Sequence, residues 1–153
     1  MTKKIDLSMA PTRVGSGYPP PHDRQCMERQ RWRLGDAAGL TQFGVNRMRL
    51  APGVWSSQRH WHTAEDEFVY VLEGEVVLVT DAGEETLRAG DCAGFPAGDA
   101  NGHQLQNRSD RDALLLEIGT RNPAQDACHY PDIDLYIGPG ESGFVHKDGT
   151  PYK

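Results

Sequence analysis

The sequence predicts an all-β protein, a barrel or sandwich of short strands, and three observations carry that reading. Seventeen glycines and ten prolines fall between short apolar stretches, which is the punctuation of turns between strands. The stretches themselves alternate with the two-residue period of a strand, not the 3.6-residue period of a helix. In two of them, Phe68-Val69-Tyr70-Val71-Leu72 and Val76-Val77-Leu78-Val79, every position is apolar or aromatic. A strand of this kind needs cover on both faces.

The elements follow in order. Met1 to Arg24 carries Pro11, Gly15, Gly17 and the run Pro19-Pro20-Pro21, which predicts an extended arm with little structure of its own. Gln30 to Leu34 alternates as a half-buried strand, with a short helix over Cys26 to Leu34 as the alternative. Phe43 to Leu50 alternates and stops at Pro52-Gly53. Glu67 to Leu72 and Glu75 to Thr80 are separated by Glu73-Gly74. Glu84 to Arg88 follows Asp81-Ala82-Gly83, Cys92 to Phe95 follows Ala89-Gly90-Asp91, and Ala113 to Ile118 closes the series. Close, regular spacing of this kind indicates a sandwich or barrel. In the tail, Tyr130 to Ile137 reads as one more strand, followed by the turn Gly138-Pro139-Gly140 and a short hairpin. The expected organisation is an arm over 1–29, a barrel over 30–120, and an extension over 121–153 that packs on the barrel.

Composition sets limits. A chain of 153 residues fits one domain with a real core. Its 16 Lys+Arg against 22 Asp+Glu give a net charge of -6, so no broad positive field exists for nucleic acid or an anionic membrane, and neither is expected as a partner. No apolar run reaches the roughly 18 to 20 residues of a spanning helix, and the first residues lack the apolar stretch of a secretion signal. The expected location is the cytoplasm. Cys26, Cys92 and Cys128 form an odd, widely spaced set, read as reduced thiols, with Cys92 a small buried hydrophobe. The strands apolar on both faces call for cover by the arm, the tail or another subunit, and a homodimer is expected.

The chemistry lies in His60-Trp61-His62 and Glu67. Residues i and i+2 of a strand share a face, so both imidazoles project together while Trp61 points away. Four residues separate His62 from Glu67, room for a turn that returns a carboxylate to the same cavity. His103 lies in a segment expected to run alongside.

These residues resemble the two motifs of the cupin superfamily. Gly53, His60, His62, Glu67 and Gly74 match the first, with six instead of five residues after Gly53; Gly90, Pro96, Gly98, His103 and Asn107 match the second, with four instead of two before His103. The resemblance spans about Thr41 to Thr120. It implies a double-stranded β-helix barrel of the jelly-roll kind, with His60, His62, Glu67 and His103 as ligands of one divalent transition metal ion. Three imidazoles and a carboxylate suit iron, zinc, manganese, nickel or copper. The ion would keep net positive charge and open positions for a small chelating, oxygen-rich substrate, with Glu67 as both ligand and base.

The resemblance leaves the reaction open among three classes. These are a sugar or sugar-phosphate isomerase, a non-haem iron or nickel dioxygenase, and a non-catalytic binding or sensor protein. An isomerase of phosphosugars should show Lys, Arg, Ser or Thr near the cavity mouth, and a dioxygenase a more apolar one. Lesser candidates for the cavity are Asn46, Met48, Gln58, Asp99 and Asn101. Trp55, Trp61, Tyr70 and Phe95 read first as packing. His22, His129 and His146 lie in the extensions without paired spacing and read as ordinary surface or hydrogen-bonded histidines. Arg29, Arg31 and Arg33 share one strand parity and read as a solvated face, with an anion-binding strip as the alternative.

Overall fold

The computed structural model describes residues 3–153. Its strands are β1 (Thr12–Val14), β2 (Gln30–Arg33), β3 (Phe43–Leu50), β4 (Trp61–His62), β5 (Glu67–Glu73) and β6 (Glu75–Thr80). They continue with β7 (Gly83–Arg88), β8 (Cys92–Phe95), β9 (Gln104–Gln106), β10 (Ala113–Thr120), β11 (Cys128–Tyr130) and β12 (Leu135–Ile137). A four-residue helix, α1 (Leu34–Ala37), turns the chain between β2 and β3. The ladders are antiparallel, in a six-stranded sheet β1-β2-β3-β10-β5-β8 and two three-stranded sheets, β7-β6-β9 and β12-β11-β4. The larger sheet and β7-β6-β9 enclose one core, which makes the chain a jelly-roll barrel.

Register explains what fills the barrel. Met48, Leu115 and Val71 lie side by side across β3, β10 and β5, all fully buried. They pack with Val76, Leu78, Leu87 and Leu105 of the facing sheet. Each such side chain contributes about 1.5–3 kcal/mol when withdrawn from water. Two residues further along the same face, Asn46, Glu117 and Val69 are in register, and Glu67 is next by parity. The barrel thus has an apolar floor and a polar upper half, and the polar half is where a site can form.

Arm and tail differ from the expected pattern. The arm carries β1, which pairs with β2, and two turns of 3-10 helix at Leu7–Met9 and Arg24–Cys26. Its order comes from Arg29, whose guanidinium donates to the Gly15 and Ser56 carbonyls and ties arm to barrel. The expected strand over Tyr130 to Ile137 is broken into β11 and β12 by a turn at Pro131 to Asp134. Pro131 has no N–H to give a ladder, and Asp132 turns outward to Arg59. The resulting hairpin pairs with β4, setting Cys128 opposite His62. Tyr18 of the arm packs on Cys128, Tyr130 and Leu135 of the tail in a second apolar cluster.

The outer face of the large sheet is uncovered. Phe68, Ile118 and Val45 are in register there, as are Tyr70, Leu116 and Arg47. Phe68, Tyr70 and Leu72 are 37%, 38% and 42% exposed, so within the described residues neither arm nor tail supplies the expected cover. Cys92 pairs with Tyr70 on this face and is exposed; the expectation of a buried thiol fails because its parity is outward. Arg29 and Arg31 correct the solvated-face reading in the opposite sense, since Arg31 on β2 pairs with inward-facing Met48 and Arg29, just before β2, is 5% exposed, whereas Arg33 is exposed as expected. Among the described residues no helix is long and apolar enough to cross a membrane.

The β5–β6 turn depends on Gly74. Its φ is +76°, and a Cβ there would sit 2.7 Å from the Asp112 carbonyl oxygen. Gly83 also has positive φ, but open space around it. We predict that Gly74→Ala lowers unfolding free energy by about 2 kcal/mol or more, and Gly83→Ala by about 1 kcal/mol. Urea unfolding of both variants checks this; equal losses would mean that the Asp112 contact has no weight.

Candidate metal centre

The centre is built from three chain segments. His60 and His103 face each other in an isolated antiparallel bridge, with His60 N donating to His103 O at 3.1 Å and the reverse bond at 2.9 Å. His62 follows on β4, and Glu67 opens β5 after a turn. The result gathers all four residues expected as ligands. Glu67 Oε2 lies 2.7 Å from His103 Nε2 and 3.3 Å from His60 Nε2, and Glu67 Oε1 lies 3.4 Å from His62 Nε2. The His60 ring is 5.0 Å from that of His62 and 4.7 Å from that of His103, centre to centre.

The outer nitrogens fix which atoms face inward. His60 Nδ1 is 2.9 Å from the Gln58 carbonyl, and His62 Nδ1 is 2.6 Å from Asp126 Oδ2. Donation of both Nδ1 protons outward leaves an acceptor lone pair on each Nε2, the tautomer that metal coordination requires. His103 Nδ1 has no polar partner; its ring is held by stacking on Phe95 at 3.6 Å.

The Glu67–His103 contact tests the fit. Its 2.7 Å separation is that of a hydrogen bond, yet Glu67 Oε2 is buried with no hydrogen bond of proper direction. Direction carries more weight than distance here. Nitrogen and oxygen lone pairs are brought together without a proton aimed between them, an arrangement that a cation relieves. Three imidazoles and a carboxylate are the right donors for a borderline divalent ion. His60, Glu67 and His103 present ligand atoms within 4.8 Å of one another, as do His60, His62 and Cys128. Burial pushes the Cys128 thiol far up, which keeps it protonated.

Electrostatics couple the residues. Burial works against a charged His62, but Glu67 and Asp126 outweigh it and raise its pKa to about 9. Burial also opposes charge on Glu67, and the surrounding imidazoles overcome that to hold it well below the usual carboxylate range. Burial lowers His103, with Glu67 partly offsetting it. Glu65 is pushed up, first by burial; its Oε1 accepts from Asn122 N at 2.7 Å.

A cavity of about 690 Å³ opens from the centre. Asn46 and Met48 line it, as expected, with Phe95. Gln58 instead donates to the His22 carbonyl, Trp55 bridges to Gln106, and Trp61 stacks on His129 at 4.4 Å. Asp99 and Asn101 line a second pocket of about 180 Å³ that also borders His62, Glu67 and His103, where Asn101 accepts from Asp81 N. His146 stacks on Tyr152, and His22 packs edge-on against the same ring. Cavity residues that sequence reasoning missed include Arg13, Ser16 and Tyr18 from the arm, Cys128 and Tyr130 from the tail, and Ser57 and Thr120 from the barrel. Asp126 and Glu65 were also missed, since no motif spacing marks them.

Comparison with known proteins places this geometry. Residues 46–119 match the cupin domain family. A crystal structure described as a sugar phosphate isomerase of the cupin superfamily, from Silicibacter pomeroyi, is 48% identical over 99% of this chain and 97% of its own, with a TM-score of 0.91. The chain belongs to the cupin superfamily. A provisionally named sugar phosphate isomerase from Acidithiobacillus ferrooxidans is 33% identical over 82% of this chain and 81% of its own, with a TM-score of 0.71. A polyketide cyclase from Streptomyces resistomycificus, 21% identical with a TM-score of 0.61 over 78% of this chain and 80% of its own, shares the fold. No curated protein sequence gives a significant match.

In the metal-free cupin the raised pKa of His62 stabilises the fold fully below about pH 6.5, the ordinary histidine value. That stabilisation is lost as pH rises through about 9. Metal uptake must displace the same proton, so we predict that apparent affinity rises roughly tenfold per pH unit below about 9. Competition with a chromophoric chelator between pH 6 and 8 reads this, and a flat profile would contradict it.

Proposed function

We propose that the protein is a metal-dependent isomerase of a small phosphorylated hydroxycarbonyl compound, with His60, His62, Glu67 and His103 as the metal ligands. The carrying observation is the make-up of the cavity beyond them. Arg13, Arg31, Arg121, Ser16, Ser57 and Thr120 line it, the wall expected of a phosphosugar enzyme and unlike the apolar one expected for a dioxygenase. The similarity to a protein described as a sugar phosphate isomerase supports the same reading.

A divalent ion held by these four residues would polarise a substrate carbonyl and make an adjacent hydroxyl more acidic. Glu67 is the carboxylate that faces this position, and it takes the proton from carbon and returns it to the neighbouring carbon. Asp126 and the Gln58 carbonyl hold the His62 and His60 rings so that both Nε2 atoms stay turned inward. Glu65 also lines the cavity and is the competing base, with a carboxyl that burial makes more basic.

Incubation with a panel of aldose and ketose phosphates in deuterated water tests the proposal. The expected result is interconversion with exchange of the C1 or C2 proton. Glu67→Gln should cut turnover by a factor of about a hundred or more, with a smaller loss of bound metal. Full loss with Glu65→Gln and little with Glu67→Gln would transfer the role of base. No exchange with any member of the panel, in metal-containing protein, would overturn the isomerase.

We also propose that a second copy covers the row Phe68, Tyr70 and Leu72. These apolar side chains are exposed on the outer face; Phe68 also borders the cavity, while Tyr70 and Leu72 do not line it. Light scattering should give twice the chain's 16.9 kDa, and Phe68→Ser/Tyr70→Ser should give the monomer. A monomeric wild type would defeat this.

A further inference from the structure

The cavity wall formed by β2 and the arm holds one buried guanidinium, Arg29, and one part-buried, Arg31. Arg29 is 5% exposed. Its Nη2 donates to the Gly15 carbonyl at 2.9 Å and its Nη1 to that of Ser56, but its Nε, also buried, has no partner. Arg31 stands beside it on β2 and forms an ion pair with Glu117. Asn46 donates to the same carboxylate at 3.0 Å. Arg31 Nε is near Glu117 without the direction of a hydrogen bond, leaving a second buried donor unsatisfied. Arg13 of the arm reaches the mouth, where its Nη2 would lie 3.3 Å from a Cβ at Gly17.

A buried Arg29 that donates only to backbone carbonyls, beside a part-buried Arg31 whose one carboxylate is Glu117, is costly unless something else satisfies it. The unpaired Nε of Arg29 cannot turn to water, because two backbone carbonyls clamp its guanidinium. Ser16 and Ser57 hydroxyls line the same cavity. The donors come from different segments and directions, which suits a tetrahedral, multiply charged acceptor better than a planar carboxylate. An acidic chain, with net charge -6, has gathered arginines where one ligand end would sit.

We infer that Arg29 and Arg31, with Arg13 at the mouth, form a phosphate subsite, which holds the phosphate of a monoester so that its hydroxycarbonyl end faces His60, His62, Glu67 and His103. The inference rests on the sugar-phosphate reading above and adds the end-to-end orientation of the substrate. It makes the arm part of the site.

Calorimetric titration with inorganic phosphate, on protein as purified and again after chelation and dialysis, tests it without requiring turnover. Binding is expected in both preparations, because the subsite does not use the ion. Arg31→Met and Arg13→Gln should each weaken it, the first by tenfold or more. Arg88→Met, on the exposed edge of β7, should leave it unchanged. Arg13 is exposed, so its replacement keeps the test open even if Arg31→Met folds poorly by circular dichroism. Arginine-dependent phosphate binding without isomerisation of any phosphosugar would sustain the subsite while removing the isomerase. Isomerisation with kcat/KM unchanged by Arg31→Met and Arg13→Gln would remove the subsite while sustaining the isomerase. Acetate binding as tight as phosphate, or no phosphate binding at millimolar concentration, would also overturn the assignment.

Discussion

The site depends on one buried carboxylate. Glu67 projects into the barrel at the level where the apolar floor of Met48, Leu115 and Val71 gives way to polar side chains. Withdrawing a carboxylate from water is affordable only if positive charge or donors surround it. Three imidazoles supply that surrounding, two carried by the extended His60-Trp61-His62 segment and one held opposite by the His60–His103 bridge. The neighbours of this group answer to it in turn. Asp126 and the Gln58 carbonyl orient two rings, and Phe95 stacks on the third.

Both extensions serve the same end. The tail lays β11 against β4 and brings Asp126, Cys128 and Tyr130 to the centre. The arm pairs β1 with β2 and is pinned by Arg29, so Arg13 and Tyr18 reach the cavity. Tyr18 and Tyr130 meet edge to face at 5.7 Å, joining arm to tail over the cavity. The barrel core does not draw on these segments, but the tail orients His62 through Asp126 and pairs with β4, and arm and tail together supply much of the cavity wall.

Much of the barrel was legible in the sequence because its strands obey a local rule. Phe43–Leu50, Glu75–Thr80 and Cys92–Phe95 fall where alternation and turn residues place them. The four clustered side chains were legible because strand parity and fixed spacing translate directly into direction. What stayed hidden was long-range. Asp126 lies 64 residues from the imidazole it orients, and no local pattern records such a pairing. Arg29 and Arg31 had a readable parity, but whether β2 turns that face to water or to the cavity depends on its pairing with β3. Cys92 was misjudged for the same reason, and the tail strand because Pro131 interrupts an otherwise regular alternation.

The central claim is that one divalent ion sits among His60, His62, Glu67 and His103, and locating that ion tests it most directly. Crystals of protein purified without an affinity tag, measured on both sides of the absorption edge of the metal found by elemental analysis, should give one strong anomalous peak within about 2.0–2.3 Å of three imidazole nitrogens and a Glu67 oxygen. A metal-loaded protein whose only anomalous peak lies elsewhere, with these four side chains bonded to one another or to water, would contradict the account.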